Sequence, residues 1–86
     1  MTLNNGVKSI ADYAFYGNKN ISSVKLTKNV KSVGEYAFYD CNNLSRVEIP
    51  ESVDYIGEWA FAQSEKAMLY VVKDSYAEVY AKEKDL

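Results

Sequence analysis

The stretch Val7-Lys8-Ser9-Ile10-Ala11-Asp12-Tyr13-Ala14-Phe15 returns as Val30-Lys31-Ser32-Val33-Gly34-Glu35-Tyr36-Ala37-Phe38 and again as Val53-Asp54-Tyr55-Ile56-Gly57-Glu58-Trp59-Ala60-Phe61. Both intervals are 23 residues. A fixed period of about 20 to 29 residues marks a solenoid, because each short unit cannot bury its apolar side alone and must stack on its neighbours. The phrase therefore predicts a single α/β repeat domain over 1–86. Its three 23-residue coils run over about 3–29, 30–52 and 53–74.

Reading outward from the phrase, each column of the repeat has a constant character. Leu3, Leu26 and Ile49 form one apolar column; Ile21 with Leu44, Val24 with Val47, and Ile10 with Val33 and Ile56 form three more. In Ile21-Ser22-Ser23-Val24-Lys25-Leu26 and Leu44-Ser45-Arg46-Val47-Glu48-Ile49 the last apolar positions alternate with polar ones, the pattern of a half-buried strand. Strands from successive coils would pair in parallel about 4.8 Å apart and build a narrow sheet with Ser23, Lys25, Arg46 and Glu48 facing outward. Thr27 and Pro50 sit at the strand exits. The Val-x-x-Ile/Val segment that follows is a second, inward-facing extended stretch. Gly34 and Gly57 then suggest a bend, and segments such as Glu35-Tyr36-Ala37-Phe38-Tyr39 suggest one turn of helix or 3₁₀ on the other side. Ala14, Ala37 and Ala60 allow close approach, and Phe15, Phe38 and Phe61 stack as an aromatic spine.

These residues resemble the BspA-type leucine-rich repeats of bacterial surface proteins. The second coil carries Leu44, Val47, Ile49 and Pro50, then Val53, Ile56, Gly57, Ala60 and Phe61, with Cys41 in the family's cysteine column. Asn18 and Ser64 depart from that column and Thr27 from the proline column. The resemblance spans the whole chain. It implies a leucine-rich-repeat stack on an extracellular or cell-surface protein, acting in protein binding or adhesion.

At the C-terminal end the period breaks. Ala67-Met68-Leu69-Tyr70-Val71-Val72 alternates best with Ala67, Leu69 and Val71 inward and Tyr70 exposed, one residue off strict counting. Ser75-Tyr76-Ala77-Glu78 is a capping box opening a helix over about 75–84, with Tyr76, Val79 and Tyr80 at i, i+3 and i+4. Lys82 and Lys84 suit its C-terminal dipole. The Ser-Tyr-Ala-x-x-Tyr-Ala string also resembles the helix that closes such arrays, so a C-terminal capping helix is expected. The first coil has no such device and presents an open edge, the mark of a fragment of a longer array, of a homotypic contact there, or of a frayed terminus.

Composition narrows the function. An apolar fraction of 48% and eight tyrosines exclude a disordered tail, and a net charge of −2 gives no electrostatic basis for nucleic-acid binding. There is no histidine and only one cysteine, so the usual general base, an intramolecular disulfide and a thiol-based metal site are all missing. No apolar run approaches the ~20 residues of a membrane span, and no signal peptide is recognisable. The reading is a non-catalytic interaction module with no cofactor and no metal. Its expected protein-binding strip is Ser23, Lys25, Arg46, Glu48 and Tyr70. The alternative is a carbohydrate site on the aromatic column Tyr13, Tyr36 and Trp59, with Tyr16 and Tyr39 nearby, or a purely structural terminal cap. The acids Asp12, Glu35 and Glu58 read as solvated in preference to calcium-binding, and Cys41 as a buried filler.

Overall fold

The computed structural model describes residues 1–86. Six short strands precede one helix: β1 Ser9–Ile10, β2 Ser23–Lys25, β3 Ser32–Val33, β4 Arg46–Ile49, β5 Tyr55–Ile56, β6 Met68–Val71 and α1 Tyr76–Lys84. They form two parallel sheets, β1-β3-β5 and β2-β4-β6. The pairings β1–β3, β3–β5 and β2–β4 join equivalent positions of consecutive repeats, as in Ile10↔Val33↔Ile56 and Val24↔Val47. A column in the sequence thus becomes a row of like side chains in space. A single narrow sheet was expected; the Val-x-x-Ile segments also pair, and the core lies between the two sheets. Phe15, Phe38 and Phe61 stack through it with centroids 5.2 Å apart at each step. Phe38, Ala37 and Ala60 are fully buried, while Phe15 at the open end is half-buried.

The expected helical turns are not helical. Residues 12–17, 35–40 and 58–63 are runs of tight turns, and alternate N–H groups leave their own unit. Tyr13, Phe15 and Gly17 donate to the carbonyls of Glu35, Ala37 and Tyr39 at 2.7–2.9 Å, and Phe38 and Asp40 donate to Ala60 and Ala62. The intervening residues close i→i−3 turns, for example Tyr16 to Tyr13. With every second donor spent on the next repeat, an α-helical ladder cannot propagate. Tyr13 (φ 63°) and Tyr36 (φ 57°) occupy the left-handed region, which also stops a helix.

Gly34 and Gly57 serve close approach. A Cβ at Gly34 would lie 2.5 Å from the Asp12 nitrogen, and one at Gly57 2.7 Å from Glu35 Cα. Ala11 fills the same column where no such neighbour is packed, and is exposed. The Cys41 column links repeats too: the thiol donates to Phe15 O at 3.2 Å, and the Ser64 hydroxyl donates to Phe38 O while accepting from Cys41 N. Burial pushes the Cys41 thiol up from its ordinary value, in keeping with its fully buried place in the core.

The last strand adopts the slipped register, Val47↔Leu69 and Ile49↔Val71, with Ala67 buried and Met68 and Tyr70 exposed. Helix α1 begins at the Ser75 cap, whose Oγ accepts from Glu78 N, while Glu78 reaches back to Asp74 N. Its buried face differs from expectation. Ala77, Tyr80 and Ala81 turn inward, whereas Val79 is 55% exposed. Two alanines let the helix sit close to the end of the core, and its tyrosines act through their hydroxyls. Tyr80 OH donates to Gly57 O at 2.8 Å, and Tyr76 OH accepts from Ile56 N and donates to Ile56 O. Two phenols thereby stand in for the strand that would pair with β5.

Candidate interaction surfaces

Side chains that alternate with the buried strand positions must face away from the core. The register sets Ser23 beside Arg46 and Met68, and Lys25 beside Glu48 and Tyr70, on one sheet face. Within it the Arg46 guanidinium carbon lies 3.9 Å from the Tyr70 ring centroid, and Arg46 Nε is 3.6 Å from a Glu48 carboxylate oxygen. Contacts this exposed are worth about 1 kcal/mol or less each; they orient side chains more than they stabilise the fold. Lys25, Glu48, Pro50, Tyr70 and Val72 line a shallow groove at the C-terminal side of this face. The proposed strip residues are therefore contiguous, and Met68, Pro50 and Val72 adjoin them. Met68 follows directly from the slipped register; Pro50 and Val72 lie beyond the strand ends, where alternation says nothing.

The aromatic column divides. Tyr13 stacks on Tyr36 at 5.1 Å and Tyr16 on Tyr39 at 5.0 Å, and the two stacks meet through Tyr13–Tyr16 and Tyr36–Tyr39 contacts. Trp59 stands apart, lining a pocket between the last repeat and α1 with Glu58, Phe61, Tyr80, Lys84 and Leu86. The Lys84 ammonium lies 5.8 Å from its ring centroid. The structure thus brings together four tyrosines in place of the column Tyr13, Tyr36, Trp59.

The acid column is neither free in solvent nor grouped for a cation. Asp12 Oδ1 accepts from Glu35 N at 2.8 Å, and Glu35 accepts from Glu58 N and Trp59 N at 3.1 Å and from Tyr55 OH. Each carboxylate caps main-chain donors of the following repeat. Glu58 pairs instead with Lys84, at 3.8 Å. The backbone N–H of Trp59 and then that of Glu58, with help from Tyr55 and Lys84, hold the Glu35 carboxyl below its ordinary 4.5 against partial desolvation.

Because the folded value is depressed, this contribution is complete above 4.5 and disappears as pH falls through the folded value. Glu35→Gln should lower stability at neutral pH by about 1 kcal/mol, the scale of a capping bond. The gap between variant and parent melting curves should close as pH falls below 4.5 and through the depressed folded value. Parallel acid profiles for the two proteins would show that the cap carries no stability.

Against known proteins, the family described as BspA type Leucine rich repeat region (6 copies) matches residues 1–80. The chain belongs to that family. No curated protein and no solved structure matches it. Repeats of this family are typically non-enzymatic and serve protein interaction. No helix in the structure is long and apolar enough to cross a membrane.

Proposed function

We propose that this chain is a non-catalytic protein-interaction and adhesion module of a bacterial cell-surface or secreted protein, built as a short solenoid of three coils over about 3–29, 30–52 and 53–74. The observation that carries the reading is the sheet face. Its five side chains, Ser23, Lys25, Arg46, Glu48 and Tyr70, lie in register on neighbouring strands, and none contributes to the core. Such a face can change sequence without cost to folding, and a mixed-charge strip with one aromatic suits a salt-sensitive protein contact. Surface location is part of the proposal and rests on the family. Helix α1 supports a role as the C-terminal cap, and the half-exposed Phe15 end is where a homotypic contact would form.

The test uses the immobilised chain against panels of extracellular proteins and of glycans. For any protein bound, the double variant Lys25→Glu, Arg46→Glu should weaken binding at least about tenfold, or ~1.4 kcal/mol, with the melting temperature lowered by no more than about 8 °C. A glycan reading has one observation in its favour, the exposed cluster of Tyr13, Tyr16, Tyr36 and Tyr39. If Tyr36→Ala or Trp59→Ala abolishes binding without unfolding while the double variant binds normally, the sheet face is not the site.

A further inference from the structure

The two sheets end differently at the helix side. On β5 the next strand is replaced by the hydroxyls of Tyr76 and Tyr80. On the other sheet, Thr2 bridges to Lys25 outside β2. Strand β6 has β4 on one side and no strand on the other. In a parallel ladder successive residues direct their main-chain groups to opposite sides. Met68 N bonds towards Ser45, so Met68 and Tyr70 face β4, and the N–H and C=O groups of Leu69 and Val71 face the vacant side. Neither N–H donates to any group elsewhere in the chain.

Edges of this kind are normally blunted by charge, proline or a bulge. Here Ala67–Val72 is six uncharged residues without proline, the composition of a strand that recruits another. Met68, Tyr70 and Val72 are 61%, 43% and 41% exposed and lie at alternate positions along the same edge.

We infer that the β6 edge is a docking site for an extended peptide segment, which adds a strand beside Leu69 and Val71 and places apolar side chains at every second position against Met68, Tyr70 and Val72. Main-chain hydrogen bonds supply the attraction and the alternate side chains the selectivity. The helix selects this occupant. α1 covers the core at the same end and touches both β5 and β6, and a second copy would bring its own α1 and core onto that end. A lone strand needs only the ~4.8 Å of one sheet spacing. The site is distinct from the sheet-face strip, although Tyr70 borders both.

The probe is a blocked heptapeptide, Lys-Val-Thr-Ile-Thr-Val-Lys, added to the isotopically labelled full chain. Leu69 and Val71 amide exchange should slow at least about tenfold on saturation. The same peptide N-methylated at alternate residues should give no protection. Met68→Lys, at an exposed side chain, should weaken binding at least about fivefold through loss of apolar cross-strand contact. Val71→Pro removes an outward donor without touching the β4 ladder and should abolish binding. Protection of other amides in place of Leu69 and Val71, or unchanged binding by Met68→Lys and Val71→Pro, overturns the proposal. Concentration-dependent protection of Leu69 and Val71 without peptide, with dimers in sedimentation, overturns it in favour of a second copy. Lys25→Glu on β2, two strands from this edge, should leave peptide binding intact, which separates this site from the sheet face.

Discussion

Phe38→Ala is expected to be the most damaging single substitution in the chain. Phe38 is fully buried, with Phe15 and Phe61 each 5.2 Å from its ring. Removing it leaves a cavity that neighbours on both sides cannot fill, because their positions are tied by main-chain bonds such as Phe38 N to Ala60 O. Truncations of this kind cost about 3–5 kcal/mol. A chain of this length has roughly 4–13 kcal/mol in total, so the variant should melt more than about 12 °C lower or fail to fold. Phe15→Ala, at the half-buried end of the stack, should cost clearly less. A Phe38→Ala melting temperature within about 2 °C of the parent would mean that the stack is not a continuous core.

Deleting residues 75–86 should be at least as severe. The deletion uncovers Ile56 and Phe61 and, by removing Tyr76 and Tyr80, returns to solvent the Ile56 N–H of β5 and the Gly57 carbonyl just after it. It also strands Glu58, the one acid of its column whose partner is Lys84. In a repeat protein a terminal unit without a polar outer face loses solubility as well as stability. The truncated chain should elute as aggregate and show no cooperative melting by circular dichroism. A monomeric product with a sharp transition would mean that α1 is not the lid of the core.

Much of this was readable from side-chain spacing. The columns of Val24, Val47, Ile10, Val33, Ile56 and Phe38 are buried as expected, and the alternation of Ala67, Leu69 and Val71 outweighed the strict count because one inward row must continue. Readings failed where main-chain geometry decided. Two-residue strands such as β1 and β3 are too short to display alternation, so the second sheet was foreseen only as an extended stretch. The left-handed Tyr13 and Tyr36 carry no glycine or asparagine signal that would have warned against a helical turn. The i, i+3, i+4 spacing assigned the face of α1 to Tyr76, Val79 and Tyr80; Tyr80 is buried as read, whereas close packing put Ala77 and Ala81 inward in place of Val79. The carboxylates of Asp12 and Glu35 lie at the surface as read, but they also cap amides a whole repeat away, which no local pattern displays. The sheet-face residues were placed together by alternation alone; whether they bind is for the Lys25→Glu, Arg46→Glu experiment to decide.

The capping carboxylates carry a consequence for how such a chain can change length. Asp12 serves the amide of Glu35, and Glu35 that of Glu58, each 23 residues on. No unit is chemically complete by itself. Duplicating or losing one whole unit delivers every acid to an equivalent amide, whereas an insertion of any other length inside the phrase leaves one acid without its amide and one amide without its acid. A change of one full repeat therefore keeps every cap, whereas any other step gives up a capping bond worth about 1 kcal/mol; Glu58, on the helix side of the series, has the Lys84 ammonium in place of an amide.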